Sequence, residues 1–309
     1  MKGENMNPEI EQLFDELRRR NPLATLSDFI APHLVGNEWK DIRKAILLTM
    51  ATQNDGRQRM RLHTFLWGKA GTGKTELLLT LQEMLGEPII NAEHTSKVGL
   101  VGDARGGMTP GLLADYDGHI ILIDELDKMS GKDQTGLLQA MEEGYYTIVK
   151  GKHRVRFKAE IRVIATANNP KKITKPLLDR FDFIFEVKTM PREERARSVR
   201  TIVENFFGDG EMKGVKVLKA YLDWIKDFEP MIEEHNTAVI VEMLKKYILM
   251  TRTAIDDVSY RNLECSILRI AYAMAKLERS NIEPRHVEEA IIFKDRMLRN
   301  MMGVADGRH

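Results

Sequence analysis

The feature that most constrains this chain is a glycine-rich loop between an apolar strand and a helix. Residues 68–75 fit the pattern G-x-x-x-x-G-K-[ST] in full. The apolar segment 62–67 leads into the loop, and a helical pattern at 76–85 leads out of it. A plain glycine-rich turn would not explain the Lys-Thr pair in this context. The sequence therefore predicts a phosphate-binding loop and a bound nucleoside triphosphate.

Each position of this loop has an expected role. Glycines allow the backbone to approach a phosphate chain that a Cβ would block, and backbone N–H groups at a helix start favour an anion. Lys74 is expected to reach the β- and γ-phosphates, and Thr75 to place its hydroxyl on Mg²⁺. The other expected nucleotide-binding positions are Gly68, Lys69, Ala70, Gly71, Thr72 and Gly73.

Composition excludes several function classes. The 309 residues carry a net charge of +1, so any nucleic-acid surface must be local rather than a property of the whole chain. Cys265 is the single cysteine, which rules out an intrachain disulfide and favours an intracellular, reducing setting. Its apolar helical surroundings predict a core position. No apolar run is long enough to span a membrane, and the polar N-terminus is unlike a signal peptide.

Apolar and helical patterns alternate up to about residue 190. Segments 120–123 and 161–167 are continuous apolar runs, as in strands buried on both faces of a parallel sheet. Beyond Pro191 the pattern is helical, with breaks at 208–214 and 251–257. The sequence thus predicts an α/β sandwich on a parallel sheet, followed by an all-α domain. The expected division is a helical extension at 1–30, a nucleotide-binding domain at 31–190 and a helical domain at 191–309.

Polar side chains end two of the predicted strands. Asp124 is expected to hold Mg²⁺ through water, and Glu125 to orient the attacking water; the alternative is a pair that caps a helix. Asn168 can hydrogen-bond both the γ-phosphate and that water, although it can also be a simple turn residue before Pro170. Asn169 could be mistaken for it, but the register of the strand favours Asn168.

Two arginines are candidates for charge neutralisation. Arg180 follows a short helical turn, where it can serve as an arginine finger; the alternative is a surface arginine paired with Asp179 or Asp182. Arg261 opens a helix of the second domain. A cation at a helix start opposes the helix dipole, so we expect Arg261 to serve something other than that helix.

A hairpin is predicted at residues 145–158. Apolar and basic residues alternate on either side of Lys150-Gly151-Lys152, as in two paired strands joined by a short turn. The basic side chains predict either a nucleic-acid contact or an ordinary solvated face.

Together these segments resemble the AAA+ ATPases and, more narrowly, the motor core of the minichromosome maintenance (MCM) helicase family. The resemblance covers about residues 27–300. It rests on Ala31–Gly36 with Asp41–Leu48, Val98–Leu100, Ile123–Met129, Leu178–Asp182, Leu218–Lys226, Arg261–Glu264 and Ala271–Lys276. The Walker motifs alone are shared by many ATPases, whereas the Asp-Lys-Met tail, the finger and the lid together are fairly specific.

The resemblance implies an AAA+ P-loop NTPase fold, an αβα sandwich with a C-terminal all-α lid, and ATP and Mg²⁺ as cofactors. It implies an ATP-hydrolysing motor that acts as a DNA helicase or translocase in replication, as a homo-oligomeric ring that is usually a hexamer. The partners that it implies are single-stranded DNA and other replication proteins, and the location that it implies is the cytoplasm or nucleoid inside the cell. By the same resemblance, the residues expected to act within one subunit are Lys74, Thr75, Asp124, Glu125 and Asn168.

Further residues carry implied roles between subunits and on DNA. Arg180 and Arg261, the latter at the sensor 2 position, would act on a neighbour's nucleotide. The hairpin lies where the family has its pre-sensor 1 hairpin, whose tip lysine touches DNA. Lys150 matches that lysine best, and Lys152 comes close behind.

The sequence departs from the family at several places. The loop ending Gly73-Lys74-Thr75 has the general AAA+ spelling, and Asp179 stands where the family usually has Ser. Segment 102–118 is short and Gly-rich, which predicts a reduced second hairpin. Neither the large N-terminal DNA-binding domain nor a C-terminal winged helix is expected, as in a minimal homologue or a shortened form.

Two other functions stay open. One is a protein-remodelling ATPase similar to the magnesium-chelatase and MoxR group, whose hydrolysis would be indifferent to DNA. The other is an inactive or regulatory MCM homologue. The presence of Glu125, Asn168 and Arg180 argues against outright inactivity.

Overall fold

The computed structural model describes residues 8–52, 60–93, 97–103, 109–150, 152–207, 211–251 and 258–302. The α-helices are α1 Pro8–Arg19, α2 Pro22–Ser27, α3 Asn37–Ala51, α4 Lys74–Leu85, α5 Lys97–Leu100, α6 Leu112–Asp115, α7 Gly131–Glu143, α8 Lys175–Leu178, α9 Arg192–Phe207, α10 Glu211–Ile225, α11 Glu234–Met250, α12 Ser266–Leu277 and α13 Pro284–Met302. The strands are β1 Thr64–Trp67, β2 Ile89–Asn91, β3 Gly102–Asp103, β4 Thr109–Pro110, β5 Ile120–Asp124, β6 Tyr145–Lys150, β7 His153–Lys158, β8 Arg162–Ala167 and β9 Phe183–Glu186.

Five strands form one parallel sheet in the order β2-β5-β8-β1-β9. All four pairings are parallel, so the carboxyl ends of the strands lie at one edge of the sheet. Strand β8 lies between β1 and β5, and it therefore separates the strand that enters the phosphate loop from the strand that ends in Asp124. The sheet places three predicted segments, the loop, Asp124-Glu125 and Asn168, at the same edge.

Helices cover both faces of the sheet, because successive strand residues point to opposite sides. In β5, Ile120 and Leu122 join one buried cluster with α3, α4 and the C-terminal helices. Ile121 and Ile123 join a second cluster with α7, the β6–β7 hairpin and α8. The predicted αβα sandwich on a parallel sheet is confirmed.

The C-terminal helices are joined to the edge strand β9. The rings of Phe293 on α13 and Phe183 on β9 meet edge to face at 5.5 Å. The sulfur of Met297 accepts the backbone N–H of Ile184 at 3.2 Å. Helix α13 thereby covers a strand edge that would otherwise be open to pairing.

The N-terminal extension also packs on the helical part, since Phe14 contacts Tyr221 and Trp224 at ring distances of 5.2 and 5.7 Å. Helix α10 begins at Glu211, so residues 211–214 of the predicted break are helical. Residues 208–210 and 252–257 lie outside the described residues. The division at residues 30 and 190 stays a prediction.

A short antiparallel pairing of β3 with β4 lies between α5 and α6, in the segment where the sequence predicts a reduced hairpin; residues 104–108 lie outside the described residues. Gly102 pairs with Pro110 and Asp103 with Thr109 in antiparallel fashion. A Cβ at Gly102, whose φ is +103°, would lie 2.2 Å from the carbonyl oxygen of Thr109. Glycine is therefore required for this close approach.

Candidate active site

The phosphate loop follows directly from the end of β1. The N–H of Gly68 donates to the carbonyl of Ala167 at 3.2 Å, and a Cβ at Gly68 would lie 2.2 Å from the carbonyl oxygen of Val187. Gly73 has a φ of +94° and is followed at once by the first turn of α4. The chain thus turns between strand and helix with backbone N–H groups available to an anion.

Lys74 lies at the centre of this loop. Its ammonium donates to the carbonyls of Gly68 and Lys69 at 2.8 Å each and to the hydroxyl of Thr72 at 3.3 Å. Burial lowers the pKa of Lys74, and the carboxylate of Asp124 opposes that shift. The positive charge is held where a triphosphate would lie, so the loop fits the predicted ligand.

Thr75 and Asp124, the two residues predicted to hold Mg²⁺, lie in direct contact. The Thr75 hydroxyl donates to Oδ2 of Asp124 at 3.1 Å, while the hydroxyl of Thr166 donates to Oδ1. One hydroxyl and one carboxylate suit Mg²⁺, which in nucleotide sites is shared with phosphates and water. In the part of the chain that the structure describes, no group of three or more His, Cys, Asp or Glu side chains could hold a metal by itself.

Glu125 and Asn168 also lie together. Glu125 has a φ of +56°, and its Oε1 accepts from the Asn168 amide at 3.4 Å. The side chain of Asn169 instead accepts the N–H of Lys171 at 3.1 Å and caps a short 3-10 turn. Glu125 does not cap the turn that follows it through its side chain. Of the two asparagines, Asn168 is the one beside Glu125.

Two site residues escaped the sequence reasoning. Thr166 precedes Asn168 by two positions on β8, and the two-residue period of a strand could have placed it on the same face. Buried Asp127 accepts the N–H of Asn168 at 3.1 Å and that of Asn169 at 3.2 Å. These bonds fix the strand end, and only the folded chain reveals them.

The segment 33–39, at and just before the start of α3, also packs on the phosphate loop and on α4. A Cβ at Gly73 would lie 3.2 Å from side-chain carbons of Leu34 and Trp39. His33 Nε2 lies 3.6 Å from a carboxylate oxygen of Glu76 on α4. Bulk at Gly73 would therefore push the loop away from its support.

Arg180 lies at the opposite edge of the sheet. The N–H groups of Asp182 and Phe183 donate to the carbonyl of His63 at 3.0 and 3.1 Å, and His63 precedes β1. The four residues of β1, at about 3.3 Å each, separate this edge from the loop. Arg180 pairs with Glu142 at 2.8 Å and with Asp179 at 3.2 Å. The pairing with Asp179 that the sequence offered as an alternative is present.

Arg261 lies beside the segment that bears Arg180, residues 178–182. It begins a π-helical turn, Arg261–Cys265, and its Nη1 donates to the carbonyl of Asp179 at 2.9 Å. Burial lowers the pKa of Arg261, which Asp182 opposes. The residues predicted to act on the nucleotide thus form two groups. The phosphate loop, Asp124, Glu125 and Asn168 lie at the edge of the sheet where the strands end, whereas Arg180 and Arg261 lie at the edge where the strands begin, called the amino edge. Cys265, expected in the core, is half-buried.

The β6–β7 hairpin begins directly after α7, at the amino edge. Lys150 pairs with His153 in the ladder, and Lys152 is exposed in the turn; Gly151 and the Lys150 side chain lie outside the described residues. Arg154 and Arg156 are exposed on one face. Arg156 lies 3.9 Å over the Tyr145 ring. Arg154, next to the tip, is a candidate that sequence reasoning missed.

Within the described parts of the chain, every helix is too short or too polar to cross a bilayer.

The chain is similar in sequence to several known proteins. The "DNA replication licensing factor mcm7-B" of Xenopus laevis is 28% identical over 306 residues, covering 86% of this chain and 42% of that protein. The "Zygotic DNA replication licensing factor mcm6-A" of the same species is 22% identical over 328 residues, covering 91% and 38%. An "Uncharacterized MCM-type protein" of Methanocaldococcus jannaschii is 26% identical over 333 residues, covering 92% and 47%.

The chain spans less than half the length of these relatives. The family model described as "MCM P-loop domain" matches residues 9–206, which include the phosphate loop, both carboxylates, Asn168 and Arg180. The chain therefore belongs to the MCM family through its P-loop domain.

Proposed function

We propose that this chain is an ATP-hydrolysing MCM-type motor that assembles head to tail into a ring and moves on single-stranded DNA. One observation carries the proposal: Arg180 lies at the sheet edge opposite to Lys74 and Glu125. An arginine so placed can reach a nucleotide only in a second copy. Copies related in this way form heterologous contacts, which close into a ring when the rotation permits.

The chemistry assigned to each group follows from its position. The loop amides and Lys74 bind and neutralise the β- and γ-phosphates of ATP. Thr75 and Asp124 would hold Mg²⁺, which supplies further charge neutralisation when bound. Glu125 orients the attacking water together with Asn168. Arg180 and Arg261 of a neighbouring copy stabilise the charge that develops on the γ-phosphate.

The β6–β7 hairpin supports the proposal that the motor moves along DNA. Its tip carries Lys152, and Arg154 is exposed beside it. These two cationic side chains can bind the phosphates of DNA whatever the base sequence. Two relatives are named as DNA replication licensing factors, which supports a replication role inside the cell with other replication proteins as partners. A hexamer is the ring size that we propose.

The test measures ATP hydrolysis with and without single-stranded DNA. Glu125→Gln should lower kcat about 100-fold or more, because the variant keeps nucleotide binding but loses the water-orienting carboxylate. Lys150→Ala with Lys152→Ala should keep basal hydrolysis and lose the response to DNA. Lys245→Ala with Lys246→Ala, on α11, is the matched control and should behave as wild type.

The contrary outcomes separate the alternatives. If the protein hydrolyses ATP but neither binds DNA nor hydrolyses faster in its presence, the DNA motor is contradicted and a magnesium-chelatase or MoxR-type function is supported. A wild type that binds ATP without hydrolysing it would support a regulatory homologue. Unchanged hydrolysis in Glu125→Gln would refute the catalytic assignment.

A further inference from the structure

Lys294 is a charged residue in the interior that none of the assigned chemistry uses. It lies on α13 with 0% exposure. Its ammonium donates to the carbonyl of Asp182 at 2.6 Å, to Oδ1 of Asn262 at 2.6 Å and to the hydroxyl of Ser266 at 3.3 Å. All three hydrogens of the ammonium therefore have acceptors, and these acceptors belong to two separate segments.

Each of those segments carries one of the amino-edge arginines. Asp182 ends the finger loop, Leu178–Asp182, two residues after Arg180, and Asn262 directly follows Arg261. The Asp182 carboxylate is itself buried and accepts from Arg269 at 2.7 Å and from the N–H of His63 at 3.2 Å. One ammonium thus joins the finger loop to the turn that bears Arg261.

The free-energy cost of burying the Lys294 ammonium indicates that this side chain does more than fill space in the core. A buried ammonium is costly unless its hydrogen bonds and charge are compensated. Burial lowers the pKa of Lys294 to about 7, Arg261 and Arg269 add to the shift, and Asp182 and Asp179 oppose it. An apolar side chain would avoid this cost, but it could not bridge a backbone carbonyl and an amide oxygen.

We propose that Lys294 is a positioning residue that fixes the finger loop to the Arg261 turn, so that Arg180 and Arg261 reach a neighbour's nucleotide as one rigid unit. The inference rests on the proposed function for its kinetic consequence. Its structural consequence, an ordered finger loop, holds without ATP.

The structural arm measures hydrogen exchange in three variants and in the wild type. Lys294→Met keeps side-chain length without the charge, and Asn262→Ser removes one acceptor and provides a milder change. Lys276→Met is the matched control, because Lys276 is also buried and donates to the carbonyl of Lys226 at 2.8 Å. The amides of residues 180–183 should exchange at least tenfold faster in Lys294→Met, less so in Asn262→Ser, and at the wild-type rate in Lys276→Met.

The kinetic arm measures kcat and KM for ATP. Lys294→Met should lower kcat about 10- to 100-fold, as expected for a misplaced finger, with KM nearly unchanged because its own phosphate loop is intact. Subunits with Lys74→Ala, which still carry a well-placed finger, should restore part of this loss on mixing, whereas Lys276→Met should need no rescue.

The two arms have distinct failures. Wild-type exchange at 180–183 in both test variants overturns the positioning role, whatever the ATPase does. Faster exchange with a kcat loss that mixing never restores also overturns it, because the defect would then be general. An inactive wild type with faster exchange in Lys294→Met instead counts against the proposed function and leaves the positioning inference supported.

Discussion

His63 is a single residue whose environment fixes its protonation state. It is wholly buried before β1, and its Nδ1 accepts the N–H of Val163 at 3.1 Å, so that nitrogen carries no proton. Burial lowers the pKa of His63 well below its ordinary value, and Asp182 opposes the shift while Arg61, Arg261 and Arg269 add to it. The folded chain therefore keeps a neutral imidazole where the unfolded chain would titrate.

This environment predicts an acid-side loss of stability. Below about pH 6.5 the unfolded chain takes up a proton at His63 and the folded chain does not, so stability falls by up to about 1.4 kcal/mol per pH unit. Urea unfolding at pH 7.5, 6.5 and 5.5 measures the free energy of unfolding at each pH. His63→Gln should be less stable at pH 7.5, with a gap to wild type that narrows as the pH falls. Parallel pH curves would contradict the prediction; exposed His235→Gln is the control.

At the residue scale, local motifs were predictable and long-range partners were not. The sequence brought Lys74, Thr75 and Asp124 together because a loop motif and the carboxyl end of a buried strand meet at one sheet edge. It could not place Arg180, since its edge depends on β9 lying beside β1. The hydrogen bonds of Asp127 to two backbone amides also depend on strand order, which no local pattern encodes.

At the scale of elements, type was easier to predict than boundary. The alternating pattern at 145–158 gave the hairpin, and β6 and β7 occupy that range. Helix α7 begins at Gly131, because Ser130 caps it by accepting the N–H of Asp133 at 3.4 Å. The helix-disfavouring glycine concealed this start, and the cap stabilises it.

The hairpin also makes a prediction about salt. If phosphates contact Arg154, Arg154→Ala should weaken single-stranded DNA binding and reduce the slope of log K against log salt by about 0.7. Fluorescence anisotropy between about 50 and 200 mM salt measures that slope. Arg200→Ala, on exposed α9 and paired only with Glu204 in the described contacts, is the control. An unaltered slope in Arg154→Ala would remove this residue from the DNA surface.

At the scale of the whole molecule, the sheet and the C-terminal helices share a buried cluster. Helix α12 contributes Ile267 and Ile270, which lie in that cluster with Ile42 and Ile46 of α3. The sequence predicted a second, all-α domain, but composition and periodicity report each segment alone and say nothing of how the segments dock. Docking places Arg261 beside Asp179, so the helical part and the finger loop are physically continuous.

The opposite placement of Lys74 and Arg180 predicts complementation between defective copies. Arg180→Ala copies keep a phosphate loop, and Lys74→Ala copies keep a finger. In a random 1:1 mixture, about a quarter of head-to-tail contacts join an intact loop to an intact finger, so ATPase activity should recover to roughly that fraction of wild type. Mixing Arg180→Ala with the Lys74→Ala, Arg180→Ala double variant supplies no finger and should recover nothing. Absence of recovery at every ratio in the first mixture would mean that each copy works alone, because a shared site must regain activity when both halves are present.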